Sequence, residues 1–163
     1  MCKQCLGPNC CEIEPPFLTG NDIKNIADAT GLSANQFSEA HRDEDNRPIH
    51  QMKQNENHKC FFYDQESRRC RIYENRPVDC RLFPLDIAKV RDRYTWIMYT
   101  SCPLESPVAR QTAVAMVSSA EAVLLPELEP DLPAYADCGT ASFEQGRWIE
   151  VSEVRRAGKR ENG

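Results

Sequence analysis

The regular spacing of hydrophobic positions is clearest between Thr19 and Phe37. Ile23, Ile26 and Ala27 stand at i, i+3 and i+4, the spacing of one helical face, and predict a helix of about three turns. Thr19-Gly20-Asn21-Asp22 precedes them with capping-box spacing, and Gly31 suits a left-handed C-terminal cap. Ser33-Ala34-Asn35-Gln36 then opens a second short helix carrying Phe37, with Leu32 buried between the two. Upstream, Glu12 to Phe17 holds Pro15-Pro16 and reads as an extended connector, because proline pushes its predecessor out of the helical region.

Residues 41–58 are polar, contain Pro48 and predict a mobile loop. Beyond them Phe61-Phe62-Tyr63 and Arg71-Ile72-Tyr73 flank the polar run Asp64 to Arg69, a hairpin with Cys60 and Cys70 at the ends of its arms. A second strand pair is expected at 85–90 and 94–99, turning at Arg91-Asp92-Arg93, with Trp96 and Met98 on one face. Between the pairs, Asn75 to Cys80 predicts a short helix with Pro77 near its first position and Asp79 in its first turn. Val108, Ala115, Val117, Ala122 and Leu125 mark the longest helix, from Ser106 to Leu125, which Pro126 stops. Glu127 to Asp137 is acidic and proline-rich and reads as a surface crossing. Phe143 to Val151 reads as a last small hairpin, and the tail from Arg155 as a frayed, charged end.

These elements give an α+β fold: a small single domain of short helices and β-hairpins, organised around a cysteine-ligated metal centre. Residues 1–125 form the cysteine-cluster metal-binding domain, and 126–163 an extension packing on the same domain. At 163 residues, 40% hydrophobic and with a mean hydropathy of −0.61, the chain predicts a modest core to which a metal adds folding free energy. The net charge of −5 argues against a general nucleic-acid binder. It is distributed as −3 over residues 1–40, +2 over 41–93 and −4 over 94–163. No apolar run reaches the length of a membrane span, and the opening Met-Cys-Lys-Gln lacks the apolar stretch of a signal peptide. A cytoplasmic location, with thiols kept reduced and no membrane partner, is the expectation.

Cysteine changes the picture. Eight of the nine fall in the first 102 residues, four of them (Cys2, Cys5, Cys10 and Cys11) in the opening eleven. Cys60, Cys70, Cys80 and Cys102 follow, and Cys138 trails alone. An odd count and the adjacent Cys10-Cys11 fit poorly with a disulfide framework. Thiolates are the preferred ligands of zinc and of iron–sulfur clusters, and two four-cysteine sites would use the first eight. Cys2-x-x-Cys5 has metal-knuckle spacing, whereas the side chains of Cys10 and Cys11 diverge along an extended backbone. Cys138 reads as an ordinary buried thiol. His41, His50 and His58 read as solvated loop residues, with His58 a minor candidate ligand beside Cys60. Arg71, Arg76 and Arg81 lie close to Cys70 or Cys80 and would face an anionic centre, although Asp64, Glu66, Glu74 and Asp79 offer ordinary pairing. Phe61, Tyr63, Tyr73 and Phe83 would form the hydrophobic shell around the metal.

The chain resembles the YkgJ family of cysteine-cluster proteins, described as zinc- or iron-chelating. The resemblance rests on Cys2, Cys5 and Cys10-Cys11, on Leu18 to Ile23, on Gly31 to Phe37, and on Cys60-Phe61-Phe62. It continues through Cys70-Arg71-Ile72-Tyr73-Glu74-Asn75-Arg76-Pro77-Val78-Asp79-Cys80-Arg81-Leu82-Phe83-Pro84 and ends at Cys102-Pro103. The family opens with two residues between its second and third cysteines, whereas four separate Cys5 from Cys10 here. A similar cysteine pattern in flagellin lysine methylases links the resemblance to an iron–sulfur cluster. The expectation is therefore a [4Fe–4S] protein with a redox or accessory role and an unidentified protein partner. The alternatives are a zinc-stabilised interaction module and a cluster-dependent methyltransferase-like enzyme. Catalysis is the least favoured, because the chain has no glycine-rich cofactor loop, no nucleophile–base pair and no Cys-x3-Cys-x2-Cys triad.

Overall fold

In a computed structural model of the chain, the structure describes residues 11, 15–43, 45–99, 110–144 and 148–155. β1 (Phe17–Leu18) leads into α1 (Gly20–Thr30), α2 (Ala34–Phe37), β2 (Ser38–Arg42) and β3 (Pro48–Met52). The hairpin β4 (Tyr63–Asp64) and β5 (Arg69–Cys70) follows, then a 3₁₀ turn at Tyr73–Asn75 and α3 (Val78–Leu82). β6 (Leu85–Val90) and β7 (Arg93–Tyr99) come next, followed by α4 (Arg110–Val123), α5 (Leu125–Leu128), α6 (Leu132–Glu144) and β8 (Trp148–Glu153). The fold class is α+β, with three small antiparallel sheets ordered β1-β3-β2, β4-β5 and β6-β7-β8.

The first helix forms as its sequence requires. Thr19 accepts from the Asp22 amide at 3.0 Å while Asp22 accepts from the Thr19 amide at 3.0 Å, completing the capping box. Gly31 closes the other end at φ +71, donating its N–H to Ala27 at 2.8 Å. Ile26 and Phe37 are fully buried, and a side chain of that size contributes about 1.5–3 kcal/mol on burial.

Residues 41–58 depart from the expected mobile loop. Ser38–Arg42 pairs with Pro48–Met52 over five residues, and β1 adds to the other side of β3. The strands were hidden because β2 exposes nearly all its side chains and so shows no alternation. Pro48 stands at the first position of β3, where its missing N–H costs least. The β4–β5 hairpin is narrower than expected, pairing only Tyr63 with Cys70 and Asp64 with Arg69.

The β6–β7 hairpin has the expected extent, with Arg91 and Asp92 at positive φ in a two-residue turn between Val90 and Arg93. Thr95 to Tyr99 are all buried in β7, the middle strand, and Trp96 donates to Glu121 on α4 at 3.1 Å. The long helix α4 ends at Val123, just before Pro126, which sits in the first turn of α5, where a proline lacks nothing a helix needs. Two expectations for the C-terminal part are corrected. Glu127 to Asp137 is no surface crossing, since Leu128, Leu132, Ala134, Tyr135 and Ala136 are buried in α5 and α6. Nor do the described residues of 143–151 form a hairpin: α6 runs to Glu144, and β8 pairs with β7.

Two cores result. The larger joins α3, β6 and β7 to α4, α5 and α6; the smaller gathers α1, α2, β1, β3 and the β4–β5 hairpin. Among the described residues no helix is long and apolar enough to cross a membrane.

Candidate metal centre

Three candidate cysteines meet in the smaller core. Cys60 is buried, and half-buried Cys11 and Cys70 pack on the same cluster of Leu18, Ile26, Phe37, Met52, Phe62 and Ile72. The backbone makes this meeting. The Cys60 N–H donates to the Cys11 carbonyl at 2.9 Å, bringing residues 49 positions apart side by side. Pairing of Cys70 with Tyr63, and a 2.8 Å bond from the Tyr63 N–H to the Cys60 carbonyl, draw Cys70 to the same place. Burial pushes the Cys70 thiol up. The Ile72 N–H and the Arg76 and Arg71 charges oppose that shift, while Cys11 adds to it. A thiol held protonated by burial would have to release its proton before binding a metal.

Cys80 lies half-buried in α3, a five-residue helix anchored from outside itself. Asp22 accepts from the Val78 N–H at 3.0 Å, so the residue that caps α1 also satisfies the start of α3. Burial pushes the Asp22 carboxyl up, against the Thr19 and Val78 donors and the Arg81 charge. Asp79, expected as a helix-start carboxylate or an arginine partner, accepts from the Phe17 N–H at 2.8 Å and lies 3.0 Å from the Tyr135 hydroxyl. This second set of contacts lay beyond sequence reasoning, because nothing near Asp79 announces Tyr135.

The three arginines divide by role. Arg71 is exposed, donates to the Phe61 carbonyl at 2.8 Å and lies over the Phe61 and Phe62 rings at 5.8 and 5.6 Å. Arg76 stacks 4.1 Å over Tyr73 and donates to its carbonyl at 3.0 Å. Arg81 forms a two-pronged ion pair with Glu127. The Nε–H groups of Arg76 and Arg81 are buried and have no partner among the described residues. An unmet buried donor costs about 1–3 kcal/mol, so each calls for an acceptor. Soft thiol donors with unspent cationic N–H groups close to them in sequence fit a thiolate-bound zinc or iron centre, which is anionic.

Cys2, Cys5, Cys10 and Cys102 lie outside the described residues, and among the described ones no group of three His, Cys, Asp or Glu is set to hold a metal ion. Cys138 stands apart, packed on the larger core, its thiol pushed up to about 11 by burial and by the charges of Asp43, Asp137, Asp86 and Asp79. His41 and His58 are exposed, and His50 meets the Ser38 hydroxyl at 3.2 Å. Of the expected aromatic shell, Phe61 and Tyr63 join the cysteine cluster, whereas Phe83 pairs with Tyr99 at 5.7 Å and Tyr99 with Trp148 at 5.1 Å.

No curated protein and no solved structure matches the chain. A family model described as "Putative zinc- or iron-chelating domain" matches residues 1–103, a span that includes all eight candidate cysteines. The chain therefore belongs to the CxxCxxCC family of cysteine-cluster proteins, for which the YkgJ name is a fitting label.

Proposed function

We propose that this protein holds an iron–sulfur cluster through thiolates drawn from Cys2, Cys5, Cys10, Cys11, Cys60, Cys70, Cys80 and Cys102, and serves a protein partner in a redox or accessory role. The observation that carries the reading is the packing of Cys11, Cys60 and Cys70 on one apolar cluster; Cys80 adds two close arginines, Arg76 and Arg81, whose buried Nε–H groups have no partner among the described residues. When bound, the cluster would supply one-electron chemistry. The chain's own contribution is then to exclude water and to balance charge. Leu18, Phe37, Met52, Phe62 and Ile72 provide the low-dielectric wall. Arg76 and Arg81 offer Nε–H donors to sulfur, whereas Arg71, exposed and engaged with Phe61, contributes charge alone. No catalytic residue is assigned.

The test is metal and acid-labile sulfide per chain on anaerobically purified protein, with its visible spectrum. About four irons with matching sulfide and a brown sample are expected for a [4Fe–4S] centre. Stoichiometric zinc in a colourless sample would replace this reading with a zinc-stabilised interaction module.

A further inference from the structure

Among the contacts that the chain beyond the matched residues 1–103 makes with them, three fall on α1, α3 and the start of β6. In α5, Glu127 engages Arg81 with both carboxylate oxygens. In the turn before α6, Asp131 accepts from the N–H of Gly20, the first residue of α1, at 3.0 Å. In α6, the fully buried Tyr135 hydroxyl lies 3.0 Å from Asp79 Oδ1 and 2.7 Å from Asp86 Oδ1. The residues recur at intervals of four, so one edge of this segment makes all three contacts. Two of the three fall on the neighbours of Cys80, Asp79 before it and Arg81 after it. Asp79 in turn holds the Phe17 N–H, tying Cys80 to β1 and to the chain leaving Cys11.

A helix of five residues cannot hold its own geometry in water, because nucleation is unfavourable and few hydrogen bonds follow. The orientation of α3 is therefore imposed from outside, by Asp22 on one side and by α5 and α6 on the other. We propose that Glu127 and Tyr135 are positioning residues for the metal centre, holding Cys80 in place through its two neighbours and thereby setting how fast the metal leaves. This rests on the reading that Cys80 is a ligand. Glu127 fixes the Arg81 guanidinium by its two terminal nitrogens, leaving the buried Nε–H without a partner among the described residues. Tyr135 keeps the Asp79 carboxyl from turning away from α3 and β1.

The experiment compares metal transfer to a chelator (ferrozine for iron, pyridylazoresorcinol for zinc, according to the wild-type metal analysis). The variants are Tyr135→Phe, Glu127→Gln and Val117→Ala, at a temperature where circular dichroism shows all of them folded. Val117 is buried in α4 and packs the same larger core, so its truncation reports stability loss alone. Loss of groups that orient ligands typically costs about 10–100-fold in metal affinity, and release faster by a factor in that range is expected for Tyr135→Phe and Glu127→Gln. Val117→Ala should release metal at the wild-type rate despite a lower melting temperature. If Tyr135→Phe fails to fold, the half-exposed Glu127 carries the test. Wild-type release from both variants, or equal acceleration in Val117→Ala, would overturn the positioning role alone. A wild-type chain without metal would end the metal reading and this role with it.

Discussion

At Gly139 α6 lies close against β6, and replacing it by alanine sets two known effects against each other. Alanine is favoured over glycine inside a helix by about 0.8–1 kcal/mol, so with open space Gly139→Ala would stabilise the protein. Space is missing. A Cβ at this position would stand 2.1 Å from the Ile87 carbonyl oxygen, 3.0 Å from its carbon and 3.5 Å from the Ala88 Cα. These are backbone atoms of β6, held by pairing to β7, and they cannot rotate aside as a side-chain tip could. Helix and strand must separate by roughly 1 Å to reach ordinary contact, and overpacking of that kind costs about 1–3 kcal/mol. The same movement stretches the contacts from Tyr135 to Asp79 and Asp86, and a buried group left unsatisfied costs about 1–3 kcal/mol more. The steric term wins, for a net loss of about 2–4 kcal/mol. At about 2–4 °C per kcal/mol for a chain of this length, the melting temperature should fall by about 5–15 °C in far-ultraviolet circular dichroism. Gly20→Ala is the control, since nothing lies within 4 Å of its added Cβ, and it should be neutral or slightly stabilising. A Gly139→Ala protein as stable as wild type would refute the reasoning, because helix propensity would then have outweighed the collision.

Cys70→Ser or Cys80→Ser should abolish metal binding, whereas Cys138→Ser should leave metal content unchanged; equal loading of Cys80→Ser and wild type would overturn the ligand assignment. With its thiol pushed up to about 11, Cys138 should also resist iodoacetamide at neutral pH until the chain unfolds, as mass mapping would show. Thr19→Ala removes the cap of α1 and should cost about 0.5–2 kcal/mol in urea titrations, with Asp22 losing the hydroxyl donor 2.8 Å away. The Ser67 hydroxyl, then its N–H, holds the Asp64 carboxyl below the usual carboxylate range. The folded pKa is lowered, so its contribution to stability is present above the unfolded value and lost as pH falls through the folded one. Ser67→Ala should move the Asp64 titration midpoint upward in NMR, and an unchanged midpoint would remove Ser67 as the cause.

The elements whose signals are local can be read from the amino-acid sequence alone. Thr19 to Gly31 states a helix and both of its ends within thirteen residues, and the β6–β7 hairpin follows from two apolar runs and a short turn. The cysteine pattern and the run from Cys70 to Pro84 carry the resemblance to the family. Elsewhere local composition misled. The acidic, proline-rich stretch from Glu127 reads as a surface crossing, yet Pro126 and Pro133 fall in first helical turns, and Leu125, Leu128, Leu132 and Tyr135 turn to the core from between acidic residues. β2 and β3 escaped notice because an exposed strand is specified by its partner rather than by its own alternation.

Which side chains meet depends on packing across the fold. That Cys11 lies against Cys60 depends on a backbone bond across the fold, and that Tyr135 and Glu127 hold the neighbours of Cys80 depends on how α5 and α6 lie against α3. A residue's type fixes what chemistry it can offer, but its partner is chosen by packing over long separations, which no short window of sequence contains.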